Sequence, residues 1–168
     1  MGNSDSDAIS FRSPDGQYRL RLLDSPVRKI LSLGQEAAPA ETGGILVGQY
    51  VNSNRVAEVS KVIGPPPDST GGRYWFERGK RGLSERLNAL WDDGVYYLGE
   101  WHTHPDKSPR PSVTDRTHMC KIQRSESYDC AVPVLIVVGG RIMRRDISAF
   151  TFPQDRLMVE MTRSTLTE

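Results

Sequence analysis

The sequence predicts a single α/β domain, and three observations support that reading. The chain has 168 residues, 37% hydrophobic and 26% charged, within the range of one globular domain able to bury a sizeable core. Strand-like apolar runs alternate with stretches whose apolar residues recur at helical spacing. No internal repeat and no interdomain linker divides them. The expected organisation is an N-terminal tail over residues 1–10, one domain over 11–153 and a C-terminal tail over 154–168.

Charge and composition exclude several classes of partner. Lys plus Arg is 22, Asp plus Glu is 21 and the net charge is +1, so nothing global points to nucleic acid or an anionic membrane. The longest apolar stretch, Val132–Val138, contains Pro133 and falls far short of a membrane span. Met1–Asp7 is polar and acidic, unlike a secretory signal. Gly2 with Ser6 fits the loose N-myristoylation pattern, but Asp5 and Asp7 oppose anionic lipid and no basic cluster follows. A solvated tail and a cytoplasmic location are expected. Cys120 and Cys130 are too few for a disulfide framework; a reduced pair is expected, with one bridge the alternative.

The elements follow in order. Gln17–Leu22 alternates polar and apolar residues as a strand does. Ser25-Pro26 resembles an N-cap followed by a first-turn proline, and Val27, Ile30 and Leu31 give the helix its apolar face as far as Gly34 or Ala38. Gly44–Val51 reads as a buried strand, Asn52-Ser53-Asn54 as a hairpin turn and Arg55–Ile63 as the returning strand. Gly64–Arg73, with Pro65-Pro66-Pro67, is a long loop of the kind that often carries function. Tyr74–Glu77 suits a short strand. Leu83, Leu87, Leu90 and Trp91 define a core-packing helix that Gly94 ends. Val95–His102 is a strand, Thr103–Pro111 a loop and Ser112–Ser125 a helix. Val132–Val138 fits a central strand buried on both faces. Gly139-Gly140 reads as a hairpin turn, Arg141–Thr151 as a strand and Pro153–Glu168 as a tail of weak helical character.

The chemistry concentrates where Gly99-Glu100-Trp101-His102-Thr103-His104-Pro105 ends a strand. Alternation puts His102 and His104 on one face, about 6–7 Å apart at Cα, with Thr103 opposite. Ser112 and Asp115 are spaced like the N-cap and N3 of a helix, so Asp115 sits in the first turn. Two imidazoles and one carboxylate leave one tetrahedral position of a zinc ion open, as catalytic zinc sites do, and water in that position has a pKa near about 7. Each half of the pattern also has a plain explanation: His-x-His arises by chance, and Ser-x-x-Asp is a capping box. Joined as His-x-His-Pro, six residues, then Ser-x-x-Asp, the pattern arises by chance in a chain of this length at a rate of about one in 10⁴ or less. A hydrolase also needs a carboxylate base that is not a ligand. Glu41, before Gly43-Gly44 and the strand Ile45–Gly48, is the candidate; its alternative is a solvated residue at a strand start. His118, one helical turn past Asp115, either supports the site or faces solvent; it is not counted among the ligands.

Glu41-Thr42-Gly43-Gly44-Ile45-Leu46-Val47-Gly48 together with His102-x-His104-Pro105-x₆-Ser112-x-x-Asp115 resembles the JAMM (MPN+/JAB) metalloprotease motif. The resemblance covers about residues 20 to 150. It implies a mixed β-sheet flanked by helices, related to the cytidine deaminases, although neither His-x-Glu nor Pro-Cys-x-x-Cys of deaminase chemistry occurs. It also implies zinc on His102, His104 and Asp115, Glu41 as general base and Ser112 as a donor to the tetrahedral oxyanion. The short form looks most like bacterial isopeptidases of antiphage operons, including the CBASS type, which reverse a ubiquitin-like conjugation. The loops around the site are shorter than the insertions with which eukaryotic members grip ubiquitin, so ubiquitin itself is not the expected substrate. Tyr74, Trp75, Phe76 and Trp101 either line a substrate groove or pack as core.

The implied substrate is a folded protein whose flexible C-terminal tail is joined to a lysine, or to the following residue in a fusion. Two alternatives remain: a peptidase maturing ubiquitin-like or sulfur-carrier precursors, and a non-catalytic MPN scaffold.

Overall fold

In a strand buried on both sides, alternate residues supply two separate cores, and that principle organises this chain. The computed structural model describes residues 8–53, 55–140 and 146–165. In chain order the elements are β1 (Ile9–Arg12), β2 (Arg19–Leu22), α1 (Asp24–Ala37), β3 (Gly43–Val51), β4 (Val56–Ile63), β5 (Thr70–Gly72), β6 (Trp75–Glu77), α2 (Leu83–Asp92), β7 (Tyr96–Pro105), α3 (Val113–Arg124), β8 (Val134–Gly140), β9 (Asp146–Thr151) and β10 (Val159–Ser164). The sheet is mixed, as expected: β2/β4 and β7/β8 are parallel and the other neighbours antiparallel. It closes on itself as a barrel in the order β1-β10-β9-β8-β7-β3-β4-β2, and β5–β6 form a separate hairpin.

The inner core takes a residue from every barrel strand, among them Phe11, Leu20, Leu46, Val59, Leu98, Ile136, Ala149 and Met161, and α1 packs Ile30 against it. The outer core joins Ile45, Val47, Leu135, Val137 and Phe150 to Leu83 of α2 and to Met119 and Ile122 of α3. Helices thus cover the sheet on both sides. In β8, Val134, Ile136 and Val138 face inward while Leu135 and Val137 face outward, which is why its sequence is apolar throughout.

Several boundaries differ from the sequence reading. Helix α1 is capped by Leu23 rather than Ser25, and Pro26 is its third residue, where the missing N–H is still one the helix leaves unpaired. The expected tails contribute strands: Ile9 and Ser10 lie in β1, and Val159–Ser164 forms β10 instead of weak helix. Phe11 opposite Arg163 and Val159 opposite Thr151 close the barrel. A four-residue strand is too short to show a period, and in β10 only Val159 and Met161 carry the alternation. Gly139 and Gly140, expected as a hairpin turn, instead end β8, with Gly139 opposite Asp146. Residues 141–145, the start of the expected returning strand, lie outside the described residues, as do Asn54, the myristoylation pattern and the outer parts of both tails. Asn52 and Ser53 have φ of 51° and 55°, the left-handed pair of a tight hairpin turn. Among the described residues no helix is long and apolar enough to cross a membrane.

Met161 tests the closure. Replacing Met161, 5% exposed, with Ala should cost about 2–5 kcal/mol in chemical denaturation. A residue in a solvated tail would change stability by less than about 0.5 kcal/mol.

Candidate metal centre

Strand β7 carries the histidines. Trp101 turns inward to the core, with its indole N–H donating to the Ile63 carbonyl at 3.2 Å. Glu100, His102 and His104 alternate with it and point out toward α3. All three are buried, with His102 and His104 each 6% exposed. Parallel pairing with β8 (His102 opposite Val137, His104 opposite Gly139) and antiparallel pairing with β3 (His102 opposite Gly43) fix the strand on both edges.

Helix α3 supplies the carboxylate. Ser112 is its N-cap: the Asp115 amide donates to Ser112 Oγ at 3.0 Å and the Ser112 amide donates to Asp115 Oδ2 at 2.7 Å, a reciprocal capping box. That box turns Asp115 back toward β7. Its Oδ1 lies 3.0 Å from His102 Nδ1 and its Oδ2 lies 3.3 Å from His104 Nε2. Tetrahedral zinc with bonds of about 2.0–2.1 Å places neighbouring ligand atoms roughly 3.3–3.4 Å apart. One ligand atom from each residue falls within 4.8 Å of the others, all three are buried, and the donor set is two nitrogens and one oxygen. These residues therefore fit an ion of that size, and the capping box leaves Asp115 placed where it could also be a ligand. Burial pushes the His104 imidazole down, but the hydrogen bond and charge of Asp115, followed by Glu41, outweigh it and raise its pKa. Burial raises Asp115, yet the two imidazoles hold it far below the carboxylate range. A divalent ion held there would compete with protons for the same atoms, so its binding would weaken as pH falls.

Glu41 reaches the same place from the segment just before β3. The Thr103 amide donates to the Thr42 carbonyl at 2.8 Å and the Thr42 amide donates to Thr103 Oγ1 at 3.0 Å, which locks residue 42 beside the strand between the two histidines. The close approach depends on Gly43: a Cβ there would lie 2.6 Å from both the Trp101 carbonyl oxygen and His102 Cδ2. Glu41, His104, Ser112 and Asp115 line one solvent-open cavity of about 370 Å³. Ser112 Oγ accepts the cap bond and keeps its own proton for a second partner.

The hairpin and the following loop complete the walls. Tyr74 and Trp75, 68% and 52% exposed, line the cavity, and Phe76 meets the His102 ring edge-on at 5.6 Å. Trp101, fully buried, is core. Sequence reasoning missed two groups. Lys107 Nζ lies 3.3 Å from Glu41 Oε1 and 4.4 Å from the Tyr74 ring centroid, bridging the cavity mouth. Behind the histidines, fully buried Glu100 is bound by Arg78, and His118 Nε2 lies 3.5 Å from its carboxylate. Burial pushes Glu100 up, but contacts with His118 and Arg78 outweigh it and hold it low. Glu100 was legible, since a carboxylate two residues before His102 in a strand must share its face. Both cysteines are free, and burial pushes the Cys130 thiol up to about 11.

Comparison with known proteins follows the same pattern. Residues 24–152 match the family model of prokaryotic homologues of the JAB domain. This chain belongs to that JAB family. A protein named CD-NTase/cGAS isopeptidase from Enterobacter hormaechei is 39% identical over 132 residues, covering 79% of this chain and 73% of the relative. One of the same name from Pseudomonas aeruginosa is 34% identical over 60% of this chain and 63% of its own length. A probable metalloprotease of Sinorhizobium fredii is 31% identical over 70% and 73%. In fold the JAB chain matches a solution structure from Desulfitobacterium hafniense with a TM-score of 0.61 at 16% identity, covering 85% and 88% of the two chains. The JAB-type enzyme class, α/β fold and mixed sheet expected from the sequence all agree with these matches.

Two substitutions probe the centre. Gly43→Ala must displace the β7 backbone or His102, so metal affinity measured by chelator competition should fall at least 10-fold while the circular dichroism spectrum keeps its shape. Ser112→Ala removes the helix cap and should cost about 1 kcal/mol of stability in the metal-free protein.

Proposed function

We propose that this JAB-family chain is a zinc-dependent isopeptidase that releases a protein from its target by cutting after the tagged protein's C-terminal tail. It would reverse a bacterial ubiquitin-like conjugation in antiphage defence. The observation that carries the reading is one open cavity lined by Glu41, Ser112, His104 and Asp115, the last two clustered with His102 directly behind them. The relatives' name, CD-NTase/cGAS isopeptidase, supports a nucleotidyltransferase conjugate as the substrate.

His102, His104 and Asp115 would hold the ion, which when bound activates water and polarises the scissile carbonyl. Glu41 takes the proton of the attacking water and delivers it to the departing amine. The Ser112 hydroxyl donates a hydrogen bond to the developing oxyanion. Lys107 occupies only Oε1 of Glu41, which leaves Oε2 to receive the proton. The walls suit an extended tail: Tyr74 and Trp75 on the hairpin offer apolar contact, and β6 pairs with β5 on one side only among the described residues. Main-chain pairing along such an edge reads little sequence, so selectivity falls to a folded body docked nearby.

Glu41→Ala separates an enzyme from a scaffold. It should retain about one zinc per chain and the fold, and lose about 10²–10⁴-fold of the turnover of a conjugate carrying a CD-NTase-type nucleotidyltransferase. Mass spectrometry of the wild-type reaction should find the tail's carboxyl terminus free. Full activity in Glu41→Ala, or cleavage inside the folded body, would refute the reading.

A further inference from the structure

Glu100 and Arg78 form a fully buried ion pair that the hydrolytic scheme does not use. The Glu100 side chain is 0% exposed and that of Arg78 1%. Arg78 Nε donates to both carboxylate oxygens, at 2.9 and 3.0 Å, and Nη2 lies 2.7 Å from Oε1. The rest of the guanidinium is also committed: Nη1 donates to the Gly79 carbonyl at 2.9 Å and Nη2 to the Tyr128 hydroxyl at 2.7 Å. Tyr97 donates to Glu100 Oε1 at 3.2 Å. A buried pair of this kind contributes little net stability relative to an apolar replacement, so its presence asks for another explanation.

The position of His102 supplies one. Its ring stands between two carboxylates: Nδ1 is 3.0 Å from Asp115 Oδ1, and Nε2 on the far edge is 3.9 Å from Glu100 Oε2. Metal-bound histidines almost always present their second nitrogen to a carboxylate, carbonyl or water, which fixes the ring's orientation. Glu100 shares the outer face of β7 with His102 and is not one of the clustered ligand atoms.

We propose that Glu100, clamped by Arg78, is a positioning residue for the metal centre, holding the His102 imidazole from behind so that Nδ1 faces the cluster formed with His104 and Asp115. The inference rests on the metal-site reading. It also gives Arg78 a structural consequence: the residue directly follows β6, so one ion pair ties the hairpin wall of the cavity to the strand bearing the ligands.

The test is zinc affinity of the full chain by competition with a chromogenic chelator, together with the visible spectrum of the cobalt-loaded protein. Glu100→Gln keeps the side chain's size and one acceptor for Arg78. It should bind zinc about 10–100-fold more weakly and shift the cobalt bands, beyond any change in the unfolding of the metal-free protein. If Glu100→Gln does not fold, Arg78→Lys, which keeps the charge and loses the fork, should weaken zinc binding in the same direction. Zinc affinity within twofold of wild type in a folded variant, with unchanged cobalt bands, would overturn the inference and leave the metal reading standing. A wild-type chain that binds no zinc would overturn both.

Discussion

The site depends on one pairing, that of β3 with β7. Gly43 opposite His102 lets the β3 and β7 backbones approach where a side chain would meet the Trp101 carbonyl, and Gly44 opposite Trp101 leaves room for the Ile63 carbonyl and the Trp101 indole that bonds it. That register aligns residue 42 with Thr103, sets Glu41 at the end of the histidine strand, and leaves the imidazoles facing α3. A slip of one residue would turn both histidines into the inner core and Trp101 out into the cavity. Burial of Trp101 in the inner core therefore holds the face that carries His102 and His104 in place.

A second consequence is that the same bonds serve folding and chemistry. The Ser112–Asp115 box begins α3 and aims Asp115 at both imidazoles. The opposite face of β7 shows the same economy, because Thr103 packs against Gly34 of α1 and also bonds residue 42. His102, His104 and Asp115 each sit on an element with its own reason to form, which organises the cluster without an ion.

Much of this was legible in the sequence. Period-two alternation placed His102 and His104 together and Thr103 opposite, and the spacing of Ser112 and Asp115 predicted the cap that the structure contains. The apolar run Val132–Val138 announced a strand buried on both faces, which the structure forms over Val134–Gly140. What the sequence did not reveal depends on contacts between distant segments. The closing strands β1 and β10 are short and stabilise each other across the chain's two ends, so no local window reports them. Lys107 at the cavity mouth is a charged residue in a proline-rich loop, and only the fold brings it to Glu41. Arg78 looks like an ordinary surface cation until its partner, Glu100, is known to be buried.

X-ray absorption at the zinc edge of the loaded full chain addresses the central claim most directly, because it reports the atoms around the ion. The account predicts a single shell of about four nitrogen and oxygen neighbours near about 2.0–2.1 Å, with multiple scattering from two imidazoles. A sulfur shell near about 2.3 Å, placing the ion on Cys120 or Cys130, or a shell without imidazole scattering, would contradict it.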